Sequence, residues 1–110
     1  MNISLKFLGA SIPQNENGYY SATQAVKAGN KIRINADEPV FNITSWKKRL
    51  KVKMLIQALE KKYQIPVYIP STGKNISTWV HPMLFIELCI ALCPSRKIEI
   101  YEQLYSSMPK

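Results

Sequence analysis

The segment between Pro82 and Pro94 constrains the fold of this chain most strongly. Its 11 residues, Met83 to Cys93, are apolar nearly all round and contain one charged residue, Glu87. A helix of this composition must be covered on most sides, so we expect it at the centre of the domain. Pro82 suits a first helical position, and Pro94 ends the helix. The segment is too short to span a bilayer, so we expect no membrane contact.

The length and composition of the chain fit one compact domain over residues 1–110. Of its 110 residues, 46% are hydrophobic, which is enough to bury a core without disulfides or metal ions. The first residues lack a basic region followed by an apolar stretch, so they do not resemble a signal peptide. Two cysteines cannot form a disulfide framework, which favours a reducing, cytoplasmic location.

The net charge of +8 is concentrated in the middle of the chain. Residues 1–40 carry four basic and three acidic side chains, and residues 75–110 carry three of each. Residues 41–74 carry eight basic side chains and one acidic side chain, Glu60, which leaves a charge of +7. A folded domain this basic usually meets an anionic partner, either nucleic acid or a membrane surface.

The pattern within this basic segment predicts two helices and a β-hairpin. Asn42 or Thr44 is placed to cap a helix through Trp46 to Leu50, and a second helix follows a tight turn near Leu50–Lys51, although one bent helix would give the same pattern. Residues 67–69 and 76–80, rich in β-branched and aromatic side chains, flank a turn and predict the hairpin. This order is that of a winged helix-turn-helix. The buried side of the second helix would contain Val52, Leu55, Ile56, Leu59 and Tyr63.

Outside the basic segment, the pattern predicts an α+β arrangement of shorter elements. Residues 3–8 form an opening strand, residues 14–18 a turn, and Tyr19–Tyr20 the returning strand. Ser21 and Gln24 have the spacing of a capping box, which predicts a helix over residues 22–28 that Gly29–Asn30 ends. Residues 30–40 form a loop with a strand-like part at 31–34. A final amphipathic helix over residues 95–107 buries Ile98, Tyr101, Leu104 and Tyr105.

Three groups of side chains are candidates for contact with DNA, and a solvated surface or a plain turn is the alternative for each. On the second helix, Lys53, Gln57 and Lys61 share one side, where Gln pairs with adenine and Lys contacts guanine. Met54 lies near them and is either core or contact. The hairpin tip, with Thr72, Lys74 and Asn75, is placed to reach the DNA backbone. Phosphates would bind the basic cluster, which comprises Lys47, Lys48, Arg49, Lys51, Lys53, Lys61 and Lys62.

The sequence gives little support for an enzyme or a metal site. Cys89 and Cys93 lie one helical turn apart and follow His81, but no fourth ligand has suitable spacing. Cysteines on an apolar helix behave as small hydrophobic residues, and we expect His81 to cap a helix or to be buried. With one histidine and no glycine-rich phosphate loop, we predict a domain without catalytic residues, cofactors or metal ions.

Two motifs resemble the KilA-N domain of phage, prophage and large DNA-virus proteins, which is similar to the fungal APSES DNA-binding domain. The resemblance covers residues 18–104, and Ser21 stands where the family usually has Asn. It implies an α+β fold related to winged helix-turn-helix modules, with DNA binding as the expected activity. The motifs are Gly18-Tyr19-Tyr20-Ser21-Ala22-Thr23, then Trp46, then Thr78-Trp79-Val80-His81-Pro82 before the apolar helix.

We therefore expect a domain that binds double-stranded DNA in phage or prophage transcriptional control, inside a bacterial host cell. The main alternative is an antirepressor module that binds a repressor protein, which exposed aromatic or Met residues would favour. RNA binding is a third interpretation, and the lack of aromatic residues between the basic ones counts against single-strand recognition. A homodimer is expected where one small domain needs two half-sites to gain specificity.

Overall fold

A computed structural model describes residues 5–7, 10–72 and 77–107 of the chain, and its centre is the helix predicted between the two prolines. This helix, α4, spans Pro82–Leu92. Its side chains pack against α1, and the fold around it is α+β, as expected. The Cα radius of gyration is 13.6 Å, close to the value of about 13 Å for a 100-residue compact domain. The buried residues of α4 are Leu84, Phe85, Leu88, Cys89 and Leu92.

Five helices and five short strands are arranged around this core in the described residues. The strands form two small antiparallel sheets, one of β1 and β2 and one in the order β3–β5–β4. A 3₁₀ turn, Pro94–Arg96, joins the last two helices. The strands are β1 (Leu5–Phe7), β2 (Ala10–Ile12), β3 (Tyr20–Ser21), β4 (Tyr68–Ile69) and β5 (Trp79–Val80); the other helices are α1 (Ala22–Asn35), α2 (Ile43–Lys47), α3 (Leu50–Tyr63) and α5 (Lys97–Ser107).

The helix α1 is twice as long as the sequence predicts, since it continues through Gly29 to Asn35. The predicted loop and strand-like part at residues 30–35 are therefore wrong. Ser21 caps the helix as predicted, accepting a hydrogen bond from the Gln24 amide at 3.2 Å. The Asn30 side chain does not end the helix. It holds the following loop, because it accepts from the Phe41 amide at 2.7 Å and donates to the Phe41 carbonyl at 3.2 Å.

Gly29 lies where α1 packs closely against α4. A Cβ atom added at this position would lie 2.9 Å from Cδ2 and 3.2 Å from Cβ of Leu92, which is fully buried. The absence of a side chain at Gly29 therefore allows α1 and α4 to pack together. This packing against Leu92 outweighs the local preference of glycine to end a helix. Spacing along the sequence carries no sign of this contact, because Leu92 is distant in the chain.

The returning strand of the first hairpin is also different from the prediction. The described strand β1 pairs with β2, with Leu5 opposite Ile12. Tyr20 forms a single antiparallel bridge with Gln14 across the turn, and Tyr20–Ser21 also pairs with β5, with Tyr20 opposite Val80. The turn over residues 14–18 is present, and Gly18 adopts φ +85° at its end. Ser21 thus serves twice, as the last residue of β3 and as the cap of α1.

The helix pair and the second hairpin are confirmed with shifted limits. Asn42 caps α2, which ends at Lys47 and so does not reach Leu50 as predicted; Leu50 starts α3. In the hairpin, Tyr68 lies opposite Val80 and Ile69 opposite Trp79. Strand β3 adds a third strand to this sheet, whereas the sequence analysis placed the strand at Tyr19–Tyr20 in the first hairpin.

The buried side of α5 is not the predicted one. Ile98 is 68% exposed and Tyr101 is 46% exposed, whereas Ile100 is 2% exposed and lies in the core. The helix begins at Lys97, after the 3₁₀ turn, and not at Ser95. This different start and the contacts with β1 and α4 change which residues face inward. Leu104 and Tyr105, also predicted to be buried, have side chains outside those that the structure describes.

Replacing Gly29 with alanine should destabilise the protein, although alanine favours helix by about 0.5–1 kcal/mol. Overpacking against Leu92 costs typically about 1–3 kcal/mol, so we expect a net loss of about 1 kcal/mol in the free energy of unfolding. Urea denaturation of the wild type and of Gly29→Ala measures this loss. In a Leu92→Ala background the same substitution should cost less, because the clashing Cδ2 atom is gone. An equal cost in both backgrounds would contradict the contact.

Candidate nucleic-acid interface

The helices α2 and α3 are anchored through a few apolar side chains, which leaves their basic side chains at the surface. The Asn42 side chain accepts from the Ser45 amide at 3.0 Å and starts α2. Trp46 is 2% exposed and fixes this short helix in the core. In α3, Val52 and Leu59 are buried. A short helix held by one large aromatic residue is well defined, because removing that side chain from water supplies most of its packing energy.

A shallow groove of about 310 Å³ lies between α2 and α3. Lys47 and Lys48, at the end of α2, lie on one side, and Lys53 and Gln57, on α3, lie on the other. Thr44 and Ile56 complete the lining. Four of the residues that the sequence analysis proposed for DNA contact therefore surround one depression, although up to ten positions separate them in the chain.

The side chains of α3 divide into two basic rows. With 3.6 residues per turn, or about 100° per residue, Lys53, Gln57 and Lys61 follow one another along one side of the helix. Lys51 and Lys62 lie on the other side of the exposed surface, about 160–180° from Lys53 around the axis. The predicted basic cluster is thus not one surface. The first row continues the groove, and the second row lies away from it.

Lys47 connects this groove to the base of the hairpin. Its ammonium nitrogen lies 4.2 Å from the centroid of the Tyr68 ring in β4, which is a cation–π contact. Lys47 is partly buried, unlike the exposed Lys48 and Arg49 that follow it. The contact links the end of α2 to β4, so Lys47 is in part a structural residue.

Glu60, the acidic residue of the basic segment, forms a hydrogen bond with the backbone. Its carboxylate accepts a hydrogen bond from the Val67 amide at 3.1 Å. The Val67 carbonyl accepts from the His81 amide at 2.9 Å, and the Pro66 carbonyl accepts from the Tyr19 hydroxyl. These bonds, which we call the Pro66–Val67 junction, tie the end of α3 to the start of α4 and to the first turn. They leave the carboxylate on the side of α3 that faces the hairpin.

Comparison with protein families identifies the family of this chain. Residues 5–108 match the family model described as the KilA-N domain. This chain is a member of the KilA-N family. KilA-N domains are a non-enzymatic family of DNA-binding domains, which gives the chain a general DNA-binding role. No curated protein and no solved structure matches it. In the described part of the chain, none of the helices combines the length and apolar character that a membrane crossing requires.

The KilA-N domain exposes most of the predicted contact residues. Lys48, Arg49, Lys51, Lys53, Gln57, Lys61 and Lys62 are all exposed. At the hairpin tip, Thr72 is exposed, while Lys74 and Asn75 lie outside the described residues. The structure thus brings Lys47, Lys48, Lys53 and Gln57 together at the groove, places Lys51 and Lys62 on the other side of α3, and leaves the predicted tip contacts as predictions.

The N-terminus of α3 is rich in positive charge. Arg49 occupies the capping position without a side-chain hydrogen bond, and the first turn contains no acidic residue. Lys51 and Lys53 follow directly. A helix N-terminus already carries partial positive charge, so cations there are unfavourable for the isolated domain. This arrangement favours an anion beside the first turn, because backbone amides and lysines would both face it.

His81 caps α4, as one of the two sequence interpretations proposed. Its Nδ1 atom accepts from the Met83 amide at 3.1 Å, so the neutral ring carries its proton on the other nitrogen. The ring stacks on Tyr63, with centroids 5.0 Å apart, and meets the edge of Tyr19 at 5.8 Å. Burial lowers the pKa of His81 from its usual value, which keeps the ring neutral and able to accept.

The two cysteines are structural in this KilA-N domain. Cys89 and Cys93 are both buried. Burial, with the nearby Cys93 thiol as a second cause, raises the pKa of Cys89 strongly, so it remains protonated. Among the described residues, no group of three or more His, Cys, Asp and Glu side chains is arranged to hold a metal ion.

The sequence analysis missed three residues of the interface region. Thr44 was considered only as a helix cap, yet it lines the groove. Ile56 was assigned to the core and is partly buried, with one side in the groove. Leu50, assigned to the end of the first helix, is 74% exposed at the start of α3. The position of Leu50 next to a run of basic residues was the available signal for its exposure.

Thermal stability of the KilA-N domain should fall as the pH drops below about 6.5, the usual pKa of histidine. Because burial lowers the pKa of His81 in the folded state, the unfolded chain takes up the proton first, and stability present above pH 6.5 is lost below it. The chain has one histidine, so few other groups titrate between pH 5.5 and 7.5.

Melting curves of the wild type and of His81→Asn across this pH range test the assignment. Asparagine retains a capping acceptor but does not titrate. We expect a pH-dependent melting temperature in the wild type and a nearly constant one in the variant. Parallel profiles for the two proteins would show that His81 is not the group responsible.

Proposed function

We propose that this KilA-N domain binds duplex DNA through α2 and α3, with α3 in the major groove and the hairpin beside the adjacent backbone. Lys48, Arg49 and Lys51 contact phosphates, while Lys53, Gln57 and Lys61 face the base edges. Thr72, Lys74 and Asn75 act at the hairpin tip. Lys47 and Lys62 add charge at the two ends of this surface. The regulated process is phage or prophage transcription, in the cytoplasm of a bacterial host cell.

The observation that carries the proposal is the groove between α2 and α3. It gathers three lysines and Gln57 from two helices, while the Glu60 carboxylate is engaged by the Val67 amide on the hairpin side. Neutralised phosphates release condensed counterions, which supplies most of the sequence-independent affinity for DNA. Gln57 adds a side chain that pairs with adenine through two hydrogen bonds.

The dimensions of α3 fit the role of a recognition helix. Its 14 residues make a rod about 21 Å long, and the major groove, about 12 Å wide, admits one α-helix. In helix-turn-helix proteins, the N-terminal part of the second helix contacts the bases. The α2–α3 groove and the uncapped, cationic first turn both lie at this end of α3.

The hairpin is suited to a supporting contact. The Lys47–Tyr68 cation–π pair and the Pro66–Val67 junction hold its base against α2 and α3. The base of the hairpin therefore has a fixed position next to α3. Phosphate contacts of this kind set the orientation of a protein on the duplex, and base contacts then give sequence preference.

Charge reversal on the proposed surface should weaken DNA binding more than tenfold. The variant is Lys48→Glu with Lys53→Glu, measured by gel shift on a random-sequence duplex over a salt series. Six to eight phosphate contacts give the wild type a log–log slope of roughly −5 to −7. The variant should have a slope shallower by about one, because Lys48 is a proposed phosphate contact whereas Lys53 is a proposed base contact.

The matched control is Lys27→Glu with Lys31→Glu, two exposed positions on α1. Both pairs lower the net charge by the same amount, so a difference between them reports the position of the charges. Melting temperatures of both variants should stay near that of the wild type, since exposed charges contribute little to stability. Equal loss of affinity in the two variants would place the DNA contact elsewhere. Capture of a repressor by a wild-type domain that binds no duplex would favour the antirepressor alternative.

A further inference from the structure

The outermost line of α3 consists of apolar side chains. Leu50 is 74% exposed and Met54 is 59% exposed, and Ala58 is also exposed. The three residues follow one another at intervals of four, which places them along one line of the helix. We call this line the α3 crest. It covers about 12 Å of helix length.

The crest is not needed to bury α3 in the domain. Val52 and Leu59 point into the core, and on a wheel of about 100° per residue the crest lies on the opposite side of the axis. Isolated apolar side chains at a surface are common and require no explanation. A line of them along the helix proposed to contact DNA is different, because DNA contact would remove the line from water.

The crest is bordered by cations on both sides. The row of Lys53, Gln57 and Lys61 runs along one edge, Lys51 lies at the other edge, and Lys62 follows Ala58 at the C-terminal end of the line. A second copy of this domain would bring the same lysines against one another, and like charges facing each other are unfavourable. An occupant with negative charge on two sides and an apolar strip between them matches the pattern.

The major groove of B-DNA has this distribution of groups. Its two edges are rows of phosphates, and its floor carries the C5-methyl group of every thymine as an apolar contact. A helix lying in the groove directs its outermost side chains at the floor and its flanking side chains at the edges. The crest of α3 corresponds to the floor, and Arg49 and Lys51, on its two sides, correspond to the phosphate edges. The row of Lys53, Gln57 and Lys61 lies next to the crest and faces the base edges.

We propose that Leu50 and Met54 contact pyrimidine C5-methyl groups on the floor of the major groove, so that this domain prefers DNA bearing them. The inference rests on the proposed function, because it requires α3 to enter the groove. It assigns to the crest a base preference that is independent of hydrogen bonding by Gln57. Thymine carries such a methyl group in ordinary DNA, and 5-methylcytosine carries it at the same position.

The test compares duplexes that differ by this methyl group alone. The probes are 20-base-pair duplexes of alternating dA and dT, and of dA and deoxyuridine. A second pair uses alternating dG and dC with and without 5-methylcytosine. Burial of one methyl group corresponds to about a fourfold change in affinity, so we expect the methylated member of each pair to bind at least about fourfold more tightly. Agreement between the two pairs separates methyl contact from effects of duplex shape, since their base pairs differ.

The variant that tests the crest is Leu50→Gln with Met54→Gln, and the matched control is Met83→Gln, whose side chain is 48% exposed on α4. The double variant should bind all four duplexes with the salt dependence of the wild type but without the methyl preference. The control should keep the preference. A melting curve checks that both variants are folded, as their exposed positions predict.

Three results would overturn the inference, and they are distinguishable from failure of DNA binding. Equal affinity for methylated and unmethylated duplexes leaves the proposed function intact and removes the crest contact. A methyl preference that persists in the double variant assigns it to other residues. A wild-type dimer that the double variant converts to a monomer, without methyl preference, makes the crest a self-association surface. Failure to bind any of the four duplexes contradicts the proposed function itself.

Discussion

The Pro66–Val67 junction is the constraint on which the geometry of the proposed interface depends. Two adjacent residues have backbone groups bonded to Glu60, His81 and Tyr19, which belong to three separate parts of the chain. Burial, together with the charge of Glu60, raises the pKa of Tyr19, so its hydroxyl stays protonated and donates. Each of these bonds lies in a partly buried site, where an unpaired group would be costly. The end of α3 therefore cannot move without the hairpin and the start of α4.

Because these bonds fix the position of α3, the exposed lysines of the basic segment are available to bind DNA. The core formed around α4, with the close approach at Gly29, holds the domain together without help from the exposed lysines. A concentration of positive charge costs stability through self-repulsion. The domain limits this cost by placing the lysines on the outside of α2 and α3 and anchoring those helices through Trp46, Val52 and Leu59. The Tyr68 ring further accommodates Lys47.

Much of this arrangement could be predicted from local patterns in the sequence. Pro82 and Pro94 delimit α4, Ser21 caps α1, and the spacing of Val52 and Leu59 identifies the buried side of α3. These features depend on residues within a few positions of one another. The positive charge of residues 41–74 and the predicted helix pair and hairpin fall in the same segment, and this too could be predicted because it depends on nearby residues.

The errors arose where distant residues decide the structure. Gly29 lies inside α1, where the absence of a side chain leaves room for Leu92 of α4. Tyr20 pairs with Val80 rather than with the first strand. The role of Glu60 depends in the same way on where Val67 lies in three dimensions. The groove at Thr44 and Ile56 forms only when α2 and α3 pack together, so the hydrophobic periodicity of either helix alone does not predict it.

The central claim is that the surface of α2 and α3 around their groove is the one that meets DNA. Titration of the ¹⁵N-labelled domain with a short duplex, followed by amide chemical shifts, tests this most directly because it reports every backbone position at once. The account predicts that the largest changes fall between Thr44 and Gln57 and continue to Lys61, with small changes in α1 and α5. Largest changes in α1 or α5, with α2 and α3 unaffected, would contradict it.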